Sequence, residues 1–259
     1  MKNYLIIVEG AHDIAVIQKL LILNGVNHLI QNKAELPEIW VRQIPNRFPF
    51  DGGRLDRITP IPSFLKNDEI SVAIKAAKND MDIMKVLQQI LDIMTVEEKD
   101  QINGIMIVCD ADQDTADKKL ERLKNRFSAK DDCKLEEDSG HWQLNVLIKS
   151  IPIYTYVFPD NEHNGNLENL LLETAAIVYP ELLCLAKKYV GEASTINYSA
   201  LTREQDRKKA TVGCIGNVMK PGKANQISIS DNAWISKQTL QECNMLMKLD
   251  AVLKKMINA

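Results

Sequence analysis

The sequence is poor in aromatic residues and has no recognisable cysteine pattern. Phe, Trp and Tyr make up 5% of the 259 residues, against a hydrophobic content of 45%. The core must therefore be mostly aliphatic, which favours an α/β or helical fold over a β-sandwich. The five cysteines are odd in number and include no C-x-x-C pair, which argues against a disulfide framework or a zinc ribbon. We expect an α/β fold in a reducing cytoplasm.

Long apolar runs and a strong net charge are also missing. No run approaches the roughly 18 residues that span a bilayer, and the first apolar strand pattern begins at Tyr4. The sequence therefore predicts a soluble protein with neither a membrane segment nor a targeting segment. The formal net charge is −3, so any contact with nucleic acid would depend on a local basic surface.

Two short apolar runs rich in β-branched residues are each followed at once by acids. Such runs are typical of strands buried on both faces of a parallel sheet. Ligands bind at the carboxyl ends of these strands, so the acids should converge if the two strands are neighbours. The acids are Glu9 and Asp13 after residues 4–8, and Asp110 and Asp112 after residues 104–109.

Converging carboxylates repel one another and raise their own pKa values unless a hard cation neutralises them. Oxygen ligands alone predict Mg²⁺ or Mn²⁺ and not zinc. The alternative is that Asp13 and Asp114 are only helix N-terminal acids, and that the D-x-D of 110–112 is a surface turn. The repetition of strand followed by acid favours the metal, with one or two ions left open.

The remaining patterns alternate between strands and helices, which indicates parallel βαβ units. The stretch of about 45–67 is rich in proline and glycine and predicts an inserted loop. We interpret residues 1–165 as a metal-binding α/β domain and residues 166–259 as a mainly helical extension packed on it. Further strands are predicted over 39–44 and 151–158, and helices over 12–24, 68–94 and 115–127.

Two segments carry a resemblance to a known family. Val8-Glu9-Gly10 followed by Asp13, with an apolar strand that ends in Asp110-Ala111-Asp112, resembles the Toprim domain of topoisomerases, primases and OLD-family nucleases. The segment Gly165-Asn166-Leu167-Glu168-Asn169-Leu170-Leu171 resembles the Gly-x-Leu-Glu-x-Leu-Leu segment of small Toprim-like proteins. The spacing of Glu9 and Asp13 is closer to the OLD type than to primases.

The resemblance implies a Toprim-like, mostly parallel central sheet flanked by helices. It also implies that Glu9 is a general acid/base or a metal ligand, and that Asp110 and Asp112 bind Mg²⁺. Asp13 would act beside Glu9. Glu168 would reach the same metal, or would only stabilise the start of its helix as a first-turn acid.

The function implied is that of a Mg²⁺-dependent nuclease acting on DNA or RNA. Two alternatives stay open: a binding module for nucleic acid or a partner ATPase without turnover, and a phosphotransferase or phosphatase acting on a small nucleotide. OLD proteins carry an ATPase domain, whereas this chain has no G-x-x-x-x-G-K-[ST] loop. An ATPase partner would therefore be a separate chain.

A basic, glycine-containing stretch between residues 203 and 223 is a candidate phosphate-binding segment. Lys209 could stabilise charge in a phosphoryl-transfer transition state, and Gly213, Gly216 and Gly222 could let the backbone approach a polyanion. The alternative is a solvated charged face. Candidate nucleic-acid contacts are Arg207, Lys208, Lys220 and Lys223, with Arg42, Arg47, Arg54 and Arg57 in a second group; His12 is a candidate proton shuttle.

Overall fold

The computed structural model describes most of the chain, and the strands in the described part form a single mixed sheet. The described residues are 1–45, 61–130, 132–138, 141–146, 149–197 and 199–258. The strands are β1 (Lys2–Val8), β2 (His28–Leu29), β3 (Ser63–Lys66), β4 (Ile70–Ala76), β5 (Ile102–Asp110), β6 (Cys133–Asp138), β7 (His141–Val146) and β8 (Lys149–Phe158).

The sheet has a parallel centre and antiparallel edges. Its strand order is β2-β3-β4-β1-β5-β8-β7-β6, and the four strands β4, β1, β5 and β8 run parallel. β1 pairs directly with β5, with Tyr4 opposite Gly104 and Ile7 opposite Ile107. The expectation that these two strands are neighbours is confirmed, and their carboxyl ends lie at the same edge of the sheet.

Side chains of β1 alternate between two hydrophobic cores, one on each face of the sheet. Ile6 packs in one core and Leu5 and Ile7 in the other, and all three are fully buried. This alternation follows from the two-residue period of a strand. It explains why β1 is apolar at every position from Tyr4 to Val8.

Helices cover both faces, as the α/β prediction requires. One face carries α2 and α4, and the other carries α1 together with helices that follow residue 166. Met106 of the sheet and Met256 near the end of the chain belong to the same core. The helices are α1 (Ala11–Leu23), α2 (Ile83–Ile93), α3 (Val96–Asp100), α4 (Ala116–Asn125), α5 (Leu167–Val178), α6 (Pro180–Ala193), α7 (Glu204–Met219), α8 (Asn225–Asp231), α9 (Lys237–Glu242) and α10 (Asn244–Ile257).

The predicted strand over 39–44 is wrong. Glu38–Gln43 form a 3₁₀ helix that begins after Pro37. Ile39, Trp40 and Gln43 are buried, and the indole Nε1 of Trp40 donates a hydrogen bond to Ser71 Oγ at 2.9 Å. The short apolar run was insufficient to distinguish a strand from a tight helical turn.

The predicted helix over 68–94 is correct only in its second half. Ile70–Ala76 form β4, a 3₁₀ turn follows at Asp80–Asp82, and α2 covers Ile83–Ile93. Val72 and Ile74, inside the predicted helix, lie in β4 and pair with β1. Their two-residue spacing is that of a strand, and positions two residues apart lie on different faces of a helix.

The inserted loop is shorter than predicted, because its last part, Ser63–Lys66, forms β3. Residues 46–60, which include Arg47, Arg54 and Arg57, lie outside the described residues. The β6–β7 hairpin was not predicted. Among the described residues, no helix is long and apolar enough to cross a membrane.

Candidate metal centre

A cleft of about 230 Å³ lies at the carboxyl edge of the parallel strands. Four carboxylates line it, and we call them the carboxylate cluster: Glu9, Asp13, Asp110 and Glu168. They come from the end of β1, the first turn of α1, the end of β5 and the first turn of α5. The sequence named all four, and the fold brings them to one place.

Backbone N–H groups fix two members of the cluster. The N–H of Asp110 donates a hydrogen bond to Glu9 Oε1 at 2.8 Å, which ties the end of β1 to the end of β5. The N–H of Leu167, at the start of α5, donates to Asp110 Oδ1 at 2.9 Å. Each carboxylate is therefore held by a neighbouring segment and is oriented before any ligand binds.

Asp13 also acts as a helix N-terminal acid. Its Oδ2 accepts a hydrogen bond from the N–H of Gly10 at 2.6 Å, and its side chain lies in the first turn of α1. The alternative role considered from the sequence is thus present. It does not remove Asp13 from the cleft, where its side chain is buried beside the other acids.

Burial and mutual repulsion raise the pKa values of all four acids. Burial raises the pKa of Asp13 to about 7, with the charges of Glu9 and Glu168 adding to the shift. Burial and the charges of Asp13, Glu9 and Glu168 raise the pKa of Asp110 well above its ordinary value. Burial likewise raises the pKa of Glu9 and of Glu168. The cluster therefore favours a bound cation or retained protons over four free negative charges.

Asp112 lies beside the cleft and not in its wall. Its backbone has a positive φ of 58°, and it exchanges two backbone hydrogen bonds with Gly165, at 2.7 and 3.0 Å. The side chain is about half exposed, and Oδ2 lies 3.4 Å from the Nζ of Lys119. The D-x-D segment is thus a turn held against the loop that precedes α5, and Asp110 and Asp112 have different surroundings.

Lys119 is the main site residue that the sequence did not reveal. Its side chain, on α4, is 2% exposed, and its Nζ lies 3.1 Å from Asp80 Oδ2 and 3.8 Å from Glu9 Oε1. Burial alone would lower the pKa of Lys119, but Glu9 and Asp80 raise it above its ordinary value, so the amine is charged. One signal was available, because Lys119 shares the buried helix face with Ala116 and Leu123.

Two basic side chains act on the cleft. Lys78, in the turn after β4, lines it. Lys209 lowers the pKa of Glu168 and of His12 through its charge, whereas Lys208 forms an ion pair with Glu204 at 2.9 Å. The predicted role of Lys209 in phosphoryl transfer stays a prediction.

Arg207 is engaged in holding the chain. Its Nη1 donates hydrogen bonds to the carbonyl oxygens of Leu201 and Thr202, both at 3.1 Å. These contacts fix the segment before α7. The guanidinium group therefore has a structural role in addition to the nucleic-acid contact predicted for it.

Lys220 and Lys223 lie at the other end of α7. Lys220 follows Lys209 by eleven positions, which corresponds to about 17 Å along a helix. Lys220 pairs with Asp231 at 3.0 Å, and Lys223 is exposed. The structure therefore does not bring these two lysines together with Lys208 and Lys209.

Two of the three glycines of this basic stretch lie in a helix and not in a phosphate-binding loop. Gly213 and Gly216 lie inside α7. A Cβ on Gly216 would come within 2.7 Å of Asn225 Oδ1 at the start of α8. The absence of a side chain lets the two helices pack closely, so this expected close approach to a polyanion is wrong for Gly213 and Gly216.

A second group of possible metal ligands follows β8. Oxygen or nitrogen atoms of Asp160, Glu162 and His163 all lie within 4.8 Å of one another. Partial burial would raise the pKa of Asp160, but hydrogen bonds from His163 and Glu162 lower it to about 2. The Nζ of Lys248 lies 2.9 Å from Glu162 and 3.5 Å from Asp160. The two acids are already neutralised by these contacts. We therefore interpret the group as a structural cluster that stabilises the loop after β8.

Comparisons with known proteins agree with the fold. A crystal structure of a hypothetical protein from Pyrococcus horikoshii OT3 is similar over 99% of this chain and 96% of its own, with a TM-score of 0.54 and 19% sequence identity. That similarity supports the fold alone. No curated protein matches significantly. The model of the family described as protein of unknown function (DUF3226) matches residues 3–257. The chain therefore belongs to the DUF3226 family.

Proposed function

We propose that this protein is a Mg²⁺-dependent enzyme of Toprim type that cleaves phosphodiester bonds, and that it acts as a nuclease. The observation that carries the proposal is the convergence of the carboxylate cluster in one cleft. These four acids come from three separated chain segments, and burial raises their pKa values. A fold that served stability alone would gain nothing from holding four like charges together.

The donor set fits a hard divalent cation. All four candidate ligands offer carboxylate oxygens, and oxygen ligands suit Mg²⁺ or Mn²⁺. The candidate ligands are Glu9, Asp13, Asp110 and Glu168, with Asp112 at the margin. A bound cation would neutralise charge on the scissile phosphate and lower the pKa of a bound water molecule.

The protein supplies orientation and proton transfer. The hydrogen bonds from Asp110 to Glu9 and from Leu167 to Asp110 fix two carboxylates before substrate binds, which lowers the entropic cost of assembling the site. Burial raises the pKa of Glu9, and its side chain lines the cleft, which suits a group that accepts and returns a proton. Glu9 is therefore the proposed general acid/base.

Two cations near the cleft support a phosphate-containing substrate. Lys78 lines the cleft, and Lys209 acts through its charge on Glu168 and His12. A lysine beside the reacting phosphate would stabilise the negative charge that develops there. Burial and the charge of Lys209 lower the pKa of His12, which favours a neutral imidazole that can accept a proton.

The five free cysteines are compatible with the cytoplasmic location that we propose.

The test is cleavage of DNA and RNA by purified protein in Mg²⁺ or Mn²⁺, with Asp110→Asn as the key variant. Asparagine keeps an oxygen that can accept the hydrogen bond from Leu167 but loses the negative charge. We expect cleavage to fall by about 100-fold or more.

The matched control is Asp117→Asn, which removes an exposed acid from the first turn of α4. We expect this variant to cleave as the wild type does. Equal cleavage by the wild type and Asp110→Asn would show that the activity comes from a contaminant, and the proposal would fail.

A further inference from the structure

The ammonium group of Lys119 occupies a position between three carboxylates. Its Nζ lies 3.1 Å from Asp80 Oδ2, 3.4 Å from Asp112 Oδ2 and 3.8 Å from Glu9 Oε1. These acids come from the turn after β4, the turn after β5 and the end of β1. The side chain is 2% exposed, so the amine is a fixed component of the site and not a mobile surface charge.

Glu9 separates two groups of acids that differ in how they are neutralised. On one side, Asp80 and Asp112 share the ammonium group of Lys119 with Glu9. On the other side are Asp13, Asp110 and Glu168 in the wall of the cleft. In the described part of the chain, no ion pair within 4.0 Å reaches these three acids. Among the described residues, one group therefore has an ion-paired lysine and the other has none.

A buried lysine at this position lowers the stability of the fold unless its charge is compensated. Moving an ammonium group out of water is unfavourable, and nearby carboxylates must offset that cost. Glu9 Oε1 and Asp112 Oδ2 both face the Nζ of Lys119, at 3.8 and 3.4 Å, and in sites that hold two metals about 4 Å apart such carboxylates bind the second ion. The ammonium group of Lys119 is the cation at this position.

We propose that the ammonium group of Lys119 replaces a second metal ion, so that the site holds one divalent cation in the cleft. This inference rests on the proposed function, because it requires the carboxylate cluster to bind a divalent cation. Lys119 acts through Glu9 and Asp112, and is therefore a positioning residue. The permanent charge fixes the orientation of both carboxylates whether or not the cleft is loaded.

The experiment counts bound Mn²⁺ per chain by electron paramagnetic resonance and by calorimetric titration at neutral pH. The wild type should bind about one Mn²⁺ tightly. Lys119→Met keeps a long side chain but removes the charge, and it should bind about two. Lys119→Arg keeps the charge and should return the count to one, which a purely structural role of the side chain would not predict.

The matched control is Lys118→Met, because Lys118 is the adjacent exposed lysine of α4. We expect it to bind one Mn²⁺, as the wild type does. If Lys119→Met fails to fold, the wild-type count still decides, because two tight sites in the wild type would overturn the inference.

The possible results separate the inference from the proposed function. Two Mn²⁺ in the wild type, or one in a folded Lys119→Met protein, would overturn the role of Lys119 and leave the metal-dependent function intact. No Mn²⁺ bound to the wild type would overturn both. One ion in the wild type and two in Lys119→Met would support both.

Discussion

Glu168 has two possible roles, as a metal ligand of the carboxylate cluster or as an acid that stabilises the start of its helix. The two roles predict opposite changes in stability when its charge is removed. It lies in the first turn of α5, where a negative charge favours the helix. It is also buried, and burial raises its pKa beside the other acids of the cluster. A raised pKa means that the folded state disfavours the ionised form. A neutral side chain at this position should therefore stabilise the folded state.

We predict that Glu168→Gln raises the free energy of unfolding of the metal-free protein by up to about 1 kcal/mol. The same variant should weaken Mn²⁺ binding by about 10-fold or more, because a carboxylate ligand is lost. Urea unfolding in the presence of a chelator measures the first effect, and calorimetry measures the second.

The control for this prediction is Glu181→Gln, which alters an exposed first-turn acid of α6. Its stability should fall by about 0.3–1 kcal/mol, the usual contribution of such an acid. A similar fall in Glu168→Gln, with unchanged Mn²⁺ binding, would show that Glu168 only stabilises its helix.

At the residue scale, the sequence revealed the acids of the carboxylate cluster but not Lys119, which pairs with one of them, Glu9. Glu9 and Asp110 could be predicted because each follows an apolar strand directly, and adjacent parallel strands bring such positions together. Lys119 could not be predicted in the same way. Its contacts join a helix to acids from three other segments, and its only local sign is a charge on an apolar helix face.

The loop before α5 fixes the turn that contains Asp112 through backbone hydrogen bonds. Gly165 has a φ of +141°, a conformation that residues with a side chain rarely adopt. Its N–H and carbonyl group both bond to the backbone of Asp112. A Cβ at this position would also lie 3.0 Å from Asn169 Oδ1.

We predict that Gly165→Ala lowers the free energy of unfolding by about 1–3 kcal/mol, the range for a strained backbone conformation. Chemical denaturation of the wild type and the variant measures the difference. The matched change is Gly191→Ala inside α6, where a Cβ would meet no atom within 4 Å.

Alanine at position 191 should raise stability by up to about 1 kcal/mol, because glycine is a poor helix former. If both variants changed stability equally, backbone strain at Gly165 would not be the cause. The comparison therefore separates the conformation of the loop from the general effect of adding a methyl group.

At the element scale, predictability from the sequence follows the length and the uniformity of the hydrophobic pattern. β1, β5 and β8 are long apolar or alternating runs, and their prediction is confirmed. The predicted helix over 68–94 extends wrongly over β4, although Ile70, Val72 and Ile74 follow the two-residue period of a strand. This alternation was the available local signal, and pairing with β1 completes the strand.

At the scale of the whole molecule, the carboxylate cluster joins distant parts of the chain. Its acids belong to residues 9–13, 110 and 168, and the helices after residue 166 share a core with the sheet. Repulsion among the acids therefore opposes the assembly of the whole fold. A cation that binds the folded state alone should offset this repulsion and stabilise the molecule.

We predict that Mn²⁺ at about 100 times its Kd adds about 2.7 kcal/mol to the stability of the wild type. For a chain of this size, that corresponds to a rise in Tm of about 5–10 °C. Differential scanning calorimetry with and without a chelator measures the shift.

The variant Asp110→Asn removes one charge from the cluster, so its metal-free form should unfold at or above the wild-type temperature. Its rise in Tm on addition of Mn²⁺ should be small. An equal rise in both proteins would place the stabilising ion elsewhere on the molecule, because the charge of Asp110 would then be irrelevant to binding.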